Sequence, residues 1–581
     1  MNLLGKATDP KFWAEVKTNP EYKMALDAVL RDYNTFCIGE IETTKFSKFR
    51  LFKDKGDRYA YQETFFKRQH RMYTMIFMCL IYPENEQYLE LLQDTIWEIC
   101  DQYVWALPAH IDNIEKNDNC ELDLDATTMA MVLSMTKVML GERLHPLIKS
   151  RIDYEIDRRI IKPFFAKRWH WEYRKNNWTA VCAGATGCTI MLNRPELFEL
   201  ARDRINEDMR SYISSYKEDG VCVEGPGYWS YGFGYFIEYA EMQRTFTKGE
   251  FDLLKDEKIK AISAFLQKLF LDKDVIVNYG DCGSNVVVPA GFMYGLKTLY
   301  PDAVELPPLA RMTVEVHYFP ACLRAFTYYD SSFASKDISN SAEYYMSDCG
   351  WFVKRTPKYG FAARGGCNGE SHNHNDVGSF ILSIDNAQLL IDMGGRPYTR
   401  QYFEDGTRYT YLETSSRGHN APIINGKYQA NIPEAYPTTS YENGVFSVDF
   451  RVAYDIPELK KLVRSYSFSD TGVRVCDEFD IEGDATYTER IVSYVEPTLG
   501  EGFVDYGKAT IKFDPKLASA KVTKDIHALE LNTDGSLKRG VDVYLVSIDV
   551  NEPKDKFEFT VEVLNLWKNN LKALKSKEWT F

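Results

Sequence analysis

The sequence predicts a helical domain followed by a β-sandwich, and three observations support this fold class. The chain has 581 residues, more than one hydrophobic core usually serves. Apolar residues recur at helical spacing up to about residue 325. Short alternating segments separated by Gly, Asp, Asn and Pro follow from about residue 340. We therefore expect an N-terminal (α/α) toroid over residues 1–328 and a C-terminal antiparallel β-sandwich over residues 329–581.

The first part of the chain has the pattern of amphipathic helices joined by short turns. Predicted helices cover residues 84–105, 125–140, 146–165, 195–216 and 255–271. Successive helices of this kind form either a solenoid or a toroid of helical hairpins. Because the sequence shows no repeat of fixed period, the toroid is favoured.

The second part has the pattern of short strands. Predicted strands cover residues 343–346, 350–354, 380–384, 388–391, 445–453, 461–468, 473–481, 541–548 and 557–563. Strands at this spacing, bounded by turn residues, are typical of an antiparallel sandwich.

Composition excludes some classes of function. The net charge of −14 and the pI near 5.3 argue against a general surface for nucleic acid or an anionic membrane, so we expect neither as a partner. A local cationic cleft for an anionic substrate is still compatible with this charge. The aromatic content of 14% fits a carbohydrate binder, because sugar faces pack on rings, and it equally fits a large helix-packed core.

Cysteine usage and the start of the sequence bear on location. The 12 cysteines contain no C-x-x-C pair, which is typical of reduced thiols packed as small hydrophobic residues in a reducing compartment. No signal-peptide pattern opens the sequence, and no window of about 20 apolar residues occurs. We therefore expect a cytoplasmic location, unless a leader has been removed.

Basic, amide and aromatic residues precede a run of small residues at positions 180–187. This segment contains Asn176, Asn177 and Trp178 at the start of a predicted helix. In that place they could hold an anionic sugar. The alternative interpretation is a helix cap made by an asparagine side chain.

Glycine and proline open a second segment that carries tyrosines at helical spacing. It contains Glu224, then Gly-Pro-Gly, then Tyr228 and Tyr231, with Tyr235 a further turn along. One interpretation is a face of an active site. The other is an aromatic stripe packed in a core.

A third segment, residues 369–380, concentrates polar side chains in a chain with nine histidines. His372 and His374 are separated by one residue, so in an extended segment they point the same way. Asp392, which ends an apolar run, and His419 follow downstream. Two histidines and a carboxylate match a ligand set that zinc prefers.

Together these segments resemble the heparinase II/III-like polysaccharide lyases, which include heparinases and alginate and oligo-alginate lyases. The resemblance covers most of the chain, and its most specific part is the run from His372 to Asp376 with Asp392 and His419. It implies a toroid followed by a sandwich, and cleavage of a uronic acid glycosidic bond by β-elimination.

The resemblance also implies roles for individual residues. Asn177 would neutralise the uronate carboxylate, while His372 and Tyr228 would divide the roles of base and acid. The implied zinc ligands, in a structural or site-organising site, are His374, Asp392 and His419. Apart from the resemblance, the residues expected to contact the substrate are Asn176, Trp178, Glu224, Tyr231 and Arg417.

The two histidines of the motif therefore have different expected duties. We expect His372 to face Asn177 and Tyr228 for proton transfer, and His374 to turn toward the other zinc ligands. The chain departs from several relatives in having Trp178, where they have a histidine after the asparagine. Tyr231, one turn after Tyr228, is the alternative acid or base.

The predicted function is a lyase acting on an anionic polysaccharide or oligosaccharide. A glycosaminoglycan-type chain is the first expected substrate, and an alginate-type oligouronate is the second. One alternative is a glycoside hydrolase on a helical toroid, with Asp219 and Glu224 as paired carboxylates; another is a non-catalytic sugar-binding protein. The sequence leaves the oligomeric state open, with a homodimer as one option.

Overall fold

The computed structural model describes residues 3–114, 120–333, 338–399, 401–404, 406–532 and 535–564. It divides into two units. The helical unit contains Met1–Gly220, Gly227–Ala264 and Val287–Lys336, and the sheet unit contains Val221–Pro226, Phe265–Val286 and Asp337–Phe581. The predicted fold class, helices first and sheets second, is confirmed.

The helices follow the predicted order. They are α1 (Pro10–Thr18), α2 (Lys23–Asp32), α3 (Phe46–Phe49), α4 (Leu51–Lys55), α5 (Tyr59–Ile81), α6 (Glu86–Asp101), α7 (Leu124–Leu140), α8 (Pro146–Ile156), α9 (Lys162–Ala166), α10 (Asn177–Asn193), α11 (Phe198–Ile213), α12 (Pro226–Tyr228), α13 (Gly234–Phe246), α14 (Glu257–Ser263), α15 (Ala290–Leu299) and α16 (Phe319–Thr327). Two short strands of the helical unit, β1 (Val288–Pro289) and β2 (Met312–Thr313), pair in parallel.

Four of the five predicted helices are confirmed, with small shifts at their ends. The prediction for residues 255–271 is wrong in its second half. Helix α14 ends at Ser263, and Phe270 instead forms a β-bridge with Ile276. The segment Phe265–Val286 clusters with the sheet unit, so a single boundary at residue 328 does not describe the division of the chain.

Helix α10 lies among α7, α11 and α13 in the helical unit. Its residues 180–188 are all buried, and most are small. Small side chains let three helices approach one helix closely, because little volume has to be filled between the backbones. The first turn of α10, which contains Asn177, is fixed by this packing.

The strands of the sheet unit are all paired antiparallel to their neighbours. They are β3 (Ala342–Met346), β4 (Trp351–Arg355), β5 (Gly360–Arg364), β6 (Phe380–Ile384), β7 (Ala387–Leu390), β8 (Ile423–Ile424), β9 (Thr438–Glu442), β10 (Val445–Asp449), β11 (Leu459–Ser469), β12 (Gly472–Ile481), β13 (Tyr487–Ser493), β14 (Thr498–Gly500), β15 (Phe503–Asp505), β16 (Ala509–Lys512), β17 (Ala518–Leu531), β18 (Leu537–Val550) and β19 (Lys556–Val563). They form sheets with the orders β3-β4-β5-β6-β7, β17-β18-β13-β8 and β14-β15-β16-β19-β12-β11-β10-β9.

The five-stranded and eight-stranded sheets share an aromatic core. The rings of Phe352 and Phe446 stack with centroids 5.1 Å apart, and those of Phe361 and Tyr466 lie 5.2 Å apart. The four-stranded sheet adjoins the five-stranded one, since Ile391 just after β7 donates its N–H to the carbonyl of Val492 in β13 at 3.0 Å. These packed layers are the sandwich that the sequence predicts.

The segment Phe265–Val286 is anchored on the sheet unit by polar contacts. Asn278 donates its side-chain amide to the carbonyl of Asp392 at 3.0 Å, and its Oδ1 accepts from Gln388 at 2.8 Å. Arg355 donates to the carbonyl of Phe270. These contacts bring Asp281, close behind Asn278 in the chain, to the loop that follows β5.

A buried ion cluster crosses the interior of the sandwich. Arg464 of β11 donates to both carboxylate oxygens of Asp477 of β12 at 2.7 Å, and also to Glu489 of β13. All three side chains have no exposed surface. Removing the guanidinium would leave two buried carboxylates without a counter-charge.

We expect Arg464→Ala to lower the free energy of unfolding by about 3–5 kcal/mol, because breaking a buried ion cluster leaves uncompensated charge. Thermal or urea unfolding followed by tryptophan fluorescence measures the change. The control is Lys461→Ala on the same strand. It removes a half-exposed pair with Glu478 and should cost no more than about 0.5 kcal/mol. Equal effects of the two substitutions would contradict the assignment.

Candidate functional site

Arginine holds both ends of the loop between β5 and β6, which carries the histidine motif. The buried guanidinium of Arg364 donates to Asp376 at 3.2 Å and to Glu370 at 2.7 Å. Within the loop, the N–H of Asn375 donates to the carbonyl of Thr414 at 2.9 Å. The motif therefore has a fixed backbone on which its histidines are presented.

Both histidines of the motif bind the same carboxylate, that of Asp281. His372 Nδ1 lies 2.8 Å from Asp281 Oδ2, and His374 Nε2 lies 3.0 Å from Oδ1. The sequence did not single out this aspartate. The available signal was an acidic residue two positions before a glycine, soon after an apolar run, a pattern that Asp392 shares.

The Asp281 carboxylate has further donors. Tyr402 donates its hydroxyl to Oδ1, Arg408 donates Nη2 to both oxygens at 3.1 Å, and Tyr398 donates to Oδ2 at 3.3 Å. The side chain of Asp281 has no exposed surface. Burial alone would raise the pKa of this carboxyl, but the hydrogen bonds from the two histidines and the charge of Arg408 lower it well below its usual range. The group is therefore an anion in the folded protein.

The backbone at His372 is in the left-handed region, with φ of +56°. This conformation is uncommon for a residue with a side chain and is found most often where function requires it. The carbonyl of His372 accepts the N–H of Asp281 at 3.1 Å. Gly280 permits this approach, since a Cβ there would lie 2.8 Å from the His372 oxygen. The His372 side chain is 23% exposed, unlike that of His374, which is fully buried.

His374, Asp392 and His419 converge as the sequence predicts. Their ligand atoms lie within 4.8 Å of one another, and all three residues are buried. His374 Nδ1, His419 Nδ1 and Asp392 Oδ2 form no well-aligned hydrogen bond, and His419 Nδ1 lies 3.3 Å from Asp392 Oδ2 as an ion pair. Three buried polar atoms without such partners, aimed at one point, are the arrangement expected of a metal site.

The outer contacts of this triad also fit a metal. His374 directs Nε2 to Asp281, and His419 directs Nε2 to the carbonyl of Glu413 at 2.9 Å. Asp392 accepts the N–H of Gly394 on its other oxygen, at 2.8 Å. Each histidine therefore carries its proton on Nε2 and presents the Nδ1 lone pair, as metal-binding histidines do. The donor set of two imidazoles and one carboxylate suits Zn²⁺.

In the helical unit, the asparagine pair has divided roles. Asn176 is the N-cap of α10, and its side chain accepts the N–H of Trp178 at 3.2 Å. The alternative interpretation, a helix cap, is thus correct for Asn176. Asn177 is the first residue of the helix and is half-buried.

The tyrosine segment lies against Asn177. Residues Trp229–Phe233 form a π-helical turn between α12 and α13. A Cβ at Gly232 would lie 3.0 Å from Asn177 Cβ and 2.7 Å from the hydroxyl of Tyr212. Only glycine lets the turn pack this closely, and π-helical turns are frequent at functional sites.

Tyr231 and Tyr235 of this segment pack against each other. Burial raises the pKa of Tyr231 well above its usual range, and the charges of Tyr235 and Asp125 raise it further. The rings of Tyr231 and Tyr235 meet edge to face at 5.6 Å, and Tyr235 shares a hydrogen bond with Thr128 at 2.9 Å. Tyr231 is therefore held in an aromatic contact beside a hydrogen-bonded tyrosine.

Trp178, which follows Asn177, packs against two histidines. Its ring centroid lies 4.8 Å from that of His110 and 5.6 Å from that of His170. His110 Nδ1 is bound to the buried Asp123 at 2.7 Å. The ligand atoms of His110, Asp123 and Asp125 also lie within 4.8 Å of one another. Both carboxylate oxygens of Asp123 accept backbone N–H groups, however, which indicates a helix cap rather than a metal site.

Two further predicted contact residues lie in the sheet unit. Glu224 is 8% exposed, and burial raises the pKa of its carboxyl, opposed by the charge of His372 and a hydrogen bond from Ser371. Arg417 pairs with Asp525 at 3.4 Å, with about 38% of each side chain exposed. Its guanidinium thus already has a counter-charge, as expected of a surface residue.

Comparison with known proteins identifies the sheet unit. Residues 340–524 match the family model described as Heparinase II/III-like, C-terminal. This part of the chain is similar to the C-terminal domain of that family. The match contains the His372 loop and the three proposed metal ligands. No curated protein sequence matches the chain.

Solved structures share the fold over nearly the whole chain. A heparinase III has a TM-score of 0.62 at 15% identity, covering 94% of this chain and 85% of its own. The heparan sulfate lyase HepC from Pedobacter heparinus has a TM-score of 0.58 at 13% identity, with coverages of 94% and 83%. The Streptomyces coelicolor A3 chondroitin AC lyase, solved with chondroitin sulphate, has a TM-score of 0.59 at 11% identity, with coverages of 98% and 84%. At these identities the likeness shows a shared fold, a helical toroid followed by a sandwich.

Two sequence predictions concern membrane-spanning segments and the state of the cysteines. Among the described residues, no helix has both the length and the apolar character needed to cross a membrane. All twelve cysteines are free thiols, ten of them buried, as the sequence predicts. The cytoplasmic location stays a prediction.

We propose that the triad binds Zn²⁺, and we expect about one zinc ion per chain by elemental analysis of the purified protein. His374→Ala and His419→Ala should each lose the metal and lower Tm, because each removes a ligand. His372→Ala is the matched control from the same motif and should keep the metal. A stable protein without metal, or metal loss in the control, would contradict the assignment.

We expect Gly232→Ala to destabilise the helical unit by about 1–3 kcal/mol, because the added methyl overlaps Asn177 and Tyr212. If Asn177 serves the reaction, turnover should fall as well. Gly234→Ala is the control on the same segment, since its nearest neighbour would be Phe292 at an ordinary 3.8 Å. Thermal unfolding and turnover of both variants check this prediction, which fails if the two behave alike.

Proposed function

We propose that the protein is a polysaccharide or oligosaccharide lyase that cleaves uronic acid glycosidic bonds by β-elimination. The observation that carries this proposal is the pairing of His372 with the buried carboxylate of Asp281 in a heparinase II/III-like domain. The pairing prepares an imidazole for proton transfer. The shared fold of heparinase III, a heparan sulfate lyase and a chondroitin AC lyase supports it.

The reaction removes a weakly acidic proton from C5 of the uronate. The carboxylate on C5 opposes this step, because the transition state places more negative charge on the same group. Donors aimed at the carboxylate therefore supply much of the catalysis. Asn177 is the proposed donor, and its position at the start of α10 is fixed by the Asn176 cap and by Gly232.

His372 and Tyr228 are the proposed proton-transfer groups. Because Asp281 accepts from Nδ1, the neutral His372 ring carries its proton there and presents a basic Nε2. Tyr228 lies in the short turn of α12, next to the buried Trp229, whose indole N–H donates to the carbonyl of Ile262 at 3.0 Å. Which of the two takes the C5 proton and which protonates O4 depends on the stereochemistry of the substrate.

The metal has an organising role in this proposal. When bound, Zn²⁺ would supply a structural crosslink among His374, Asp392 and His419, which lie on three separate parts of the sheet unit. His374 is two residues from His372, so its fixation limits the movement of the loop. Proton transfer is assigned to His372 and Tyr228.

A glycosaminoglycan-type chain is the proposed substrate, with an alginate-type oligouronate as the second candidate. Two structural neighbours, a heparan sulfate lyase and a chondroitin AC lyase solved with chondroitin sulphate, support the first. Both candidates are anionic, which agrees with a mechanism that neutralises a carboxylate.

We expect ultraviolet absorbance to rise when the protein acts on one of heparin, heparan sulfate, chondroitin sulfates, hyaluronan or alginate oligomers, because β-elimination creates a conjugated unsaturated uronide. His372→Ala, Asn177→Ala and Tyr228→Phe should each lower kcat by about 10²-fold or more while the fold is retained. Tyr231→Phe is the matched control and should lose much less. Cleavage without a new chromophore would instead indicate a hydrolase, and binding without cleavage a sugar-binding protein.

A further inference from the structure

One carboxylate serves two histidines that have different proposed duties. Asp281 Oδ2 meets His372 at Nδ1, and Oδ1 meets His374 at Nε2. The two rings therefore carry their protons on different nitrogens, although they lie two residues apart in one loop. A single acceptor anion fixes both tautomers at once.

We infer that Asp281 is a positioning residue that couples the proton-transfer histidine to the metal ligand. It orients His372 with Nε2 basic and His374 with Nδ1 toward Asp392 and His419. This inference rests on the proposed function for His372 and on the proposed metal site for His374. Asp281 itself touches neither the substrate nor the metal in this assignment.

The surroundings of Asp281 hold the carboxylate in a single position. Arg408 donates to both of its oxygens and to the carbonyl of Asn373 at 2.9 Å, the peptide between the two histidines. Tyr409 donates to Asn373 Oδ1 at 2.8 Å. The loop and the carboxylate are thus tied to the same guanidinium, so movement of one would disturb the other.

Replacing the carboxylate of Asp281 with an amide distinguishes a positioning role from a packing role. An Asp281→Asn side chain has nearly the same shape, but it offers one acceptor oxygen and one donor NH₂. One of the two histidines would then face a donor and would have to change its tautomer or turn away. The loss should appear in turnover, in metal content or in both, at nearly unchanged volume.

The test compares Asp281→Asn with Asp376→Asn. Asp376 is a buried carboxylate of the same loop, but it binds Arg364 and neither histidine. For Asp281→Asn we expect kcat to fall by about 10²–10⁴-fold with KM changed less than about threefold. Zinc affinity should fall by about 10–100-fold, measured by elemental analysis after titration with a chelator. Asp376→Asn should lower Tm but keep kcat within about threefold, and it should keep its zinc.

Each outcome decides between the alternatives. If Asp281→Asn keeps both turnover and zinc while His372→Ala is inactive, this inference is wrong and the lyase proposal stands. If His372→Ala keeps full turnover, the proposed role of His372 is wrong, and zinc retention alone then tests Asp281. Should Asp281→Asn fail to fold, Asp281→Glu keeps the charge but moves it by one methylene. It should lose turnover or zinc without unfolding, and wild-type values for both would overturn the inference.

Discussion

The buried charge of Asp281 is the constraint on which the site in the sheet unit depends. A carboxylate with no exposed surface is very costly unless donors surround it. Two imidazoles, two tyrosine hydroxyls and a guanidinium meet this requirement. These contacts also fix the orientation of both motif histidines. Each ring uses one nitrogen to bind Asp281 and has only the other available for a further partner.

Backbone geometry allows the motif histidines to approach Asp281. His372 adopts a positive φ, and Gly280 passes close to its carbonyl where any side chain would collide. The unfavourable conformation of His372 is retained because the hydrogen bond from the N–H of Asp281 and the ring contact with its carboxylate outweigh it. Arg364 and Asp376 close the loop through their buried ion pair.

The helical unit positions Asn177 by different means. Asn177 is placed by a helix start, a capping neighbour and a glycine in a π-helical turn. The ring of Trp178 packs against those of His110 and His170. An amide in this setting is neutral and preorganised, as a donor to a uronate carboxylate needs to be.

The sequence by itself determined the fold class and the histidine motif. Helical and strand periodicities are local properties, and the motif is contiguous, so both are readable without coordinates. The triad needed the family resemblance, because His419 is distant in the chain. Only the tertiary structure decided that Asp281 belongs to the site. Its partners lie 91 and 93 residues away, and the segment that carries it had the pattern of a helix for part of its length. A carboxylate requires such donors because it is buried, and burial is a property of the folded chain.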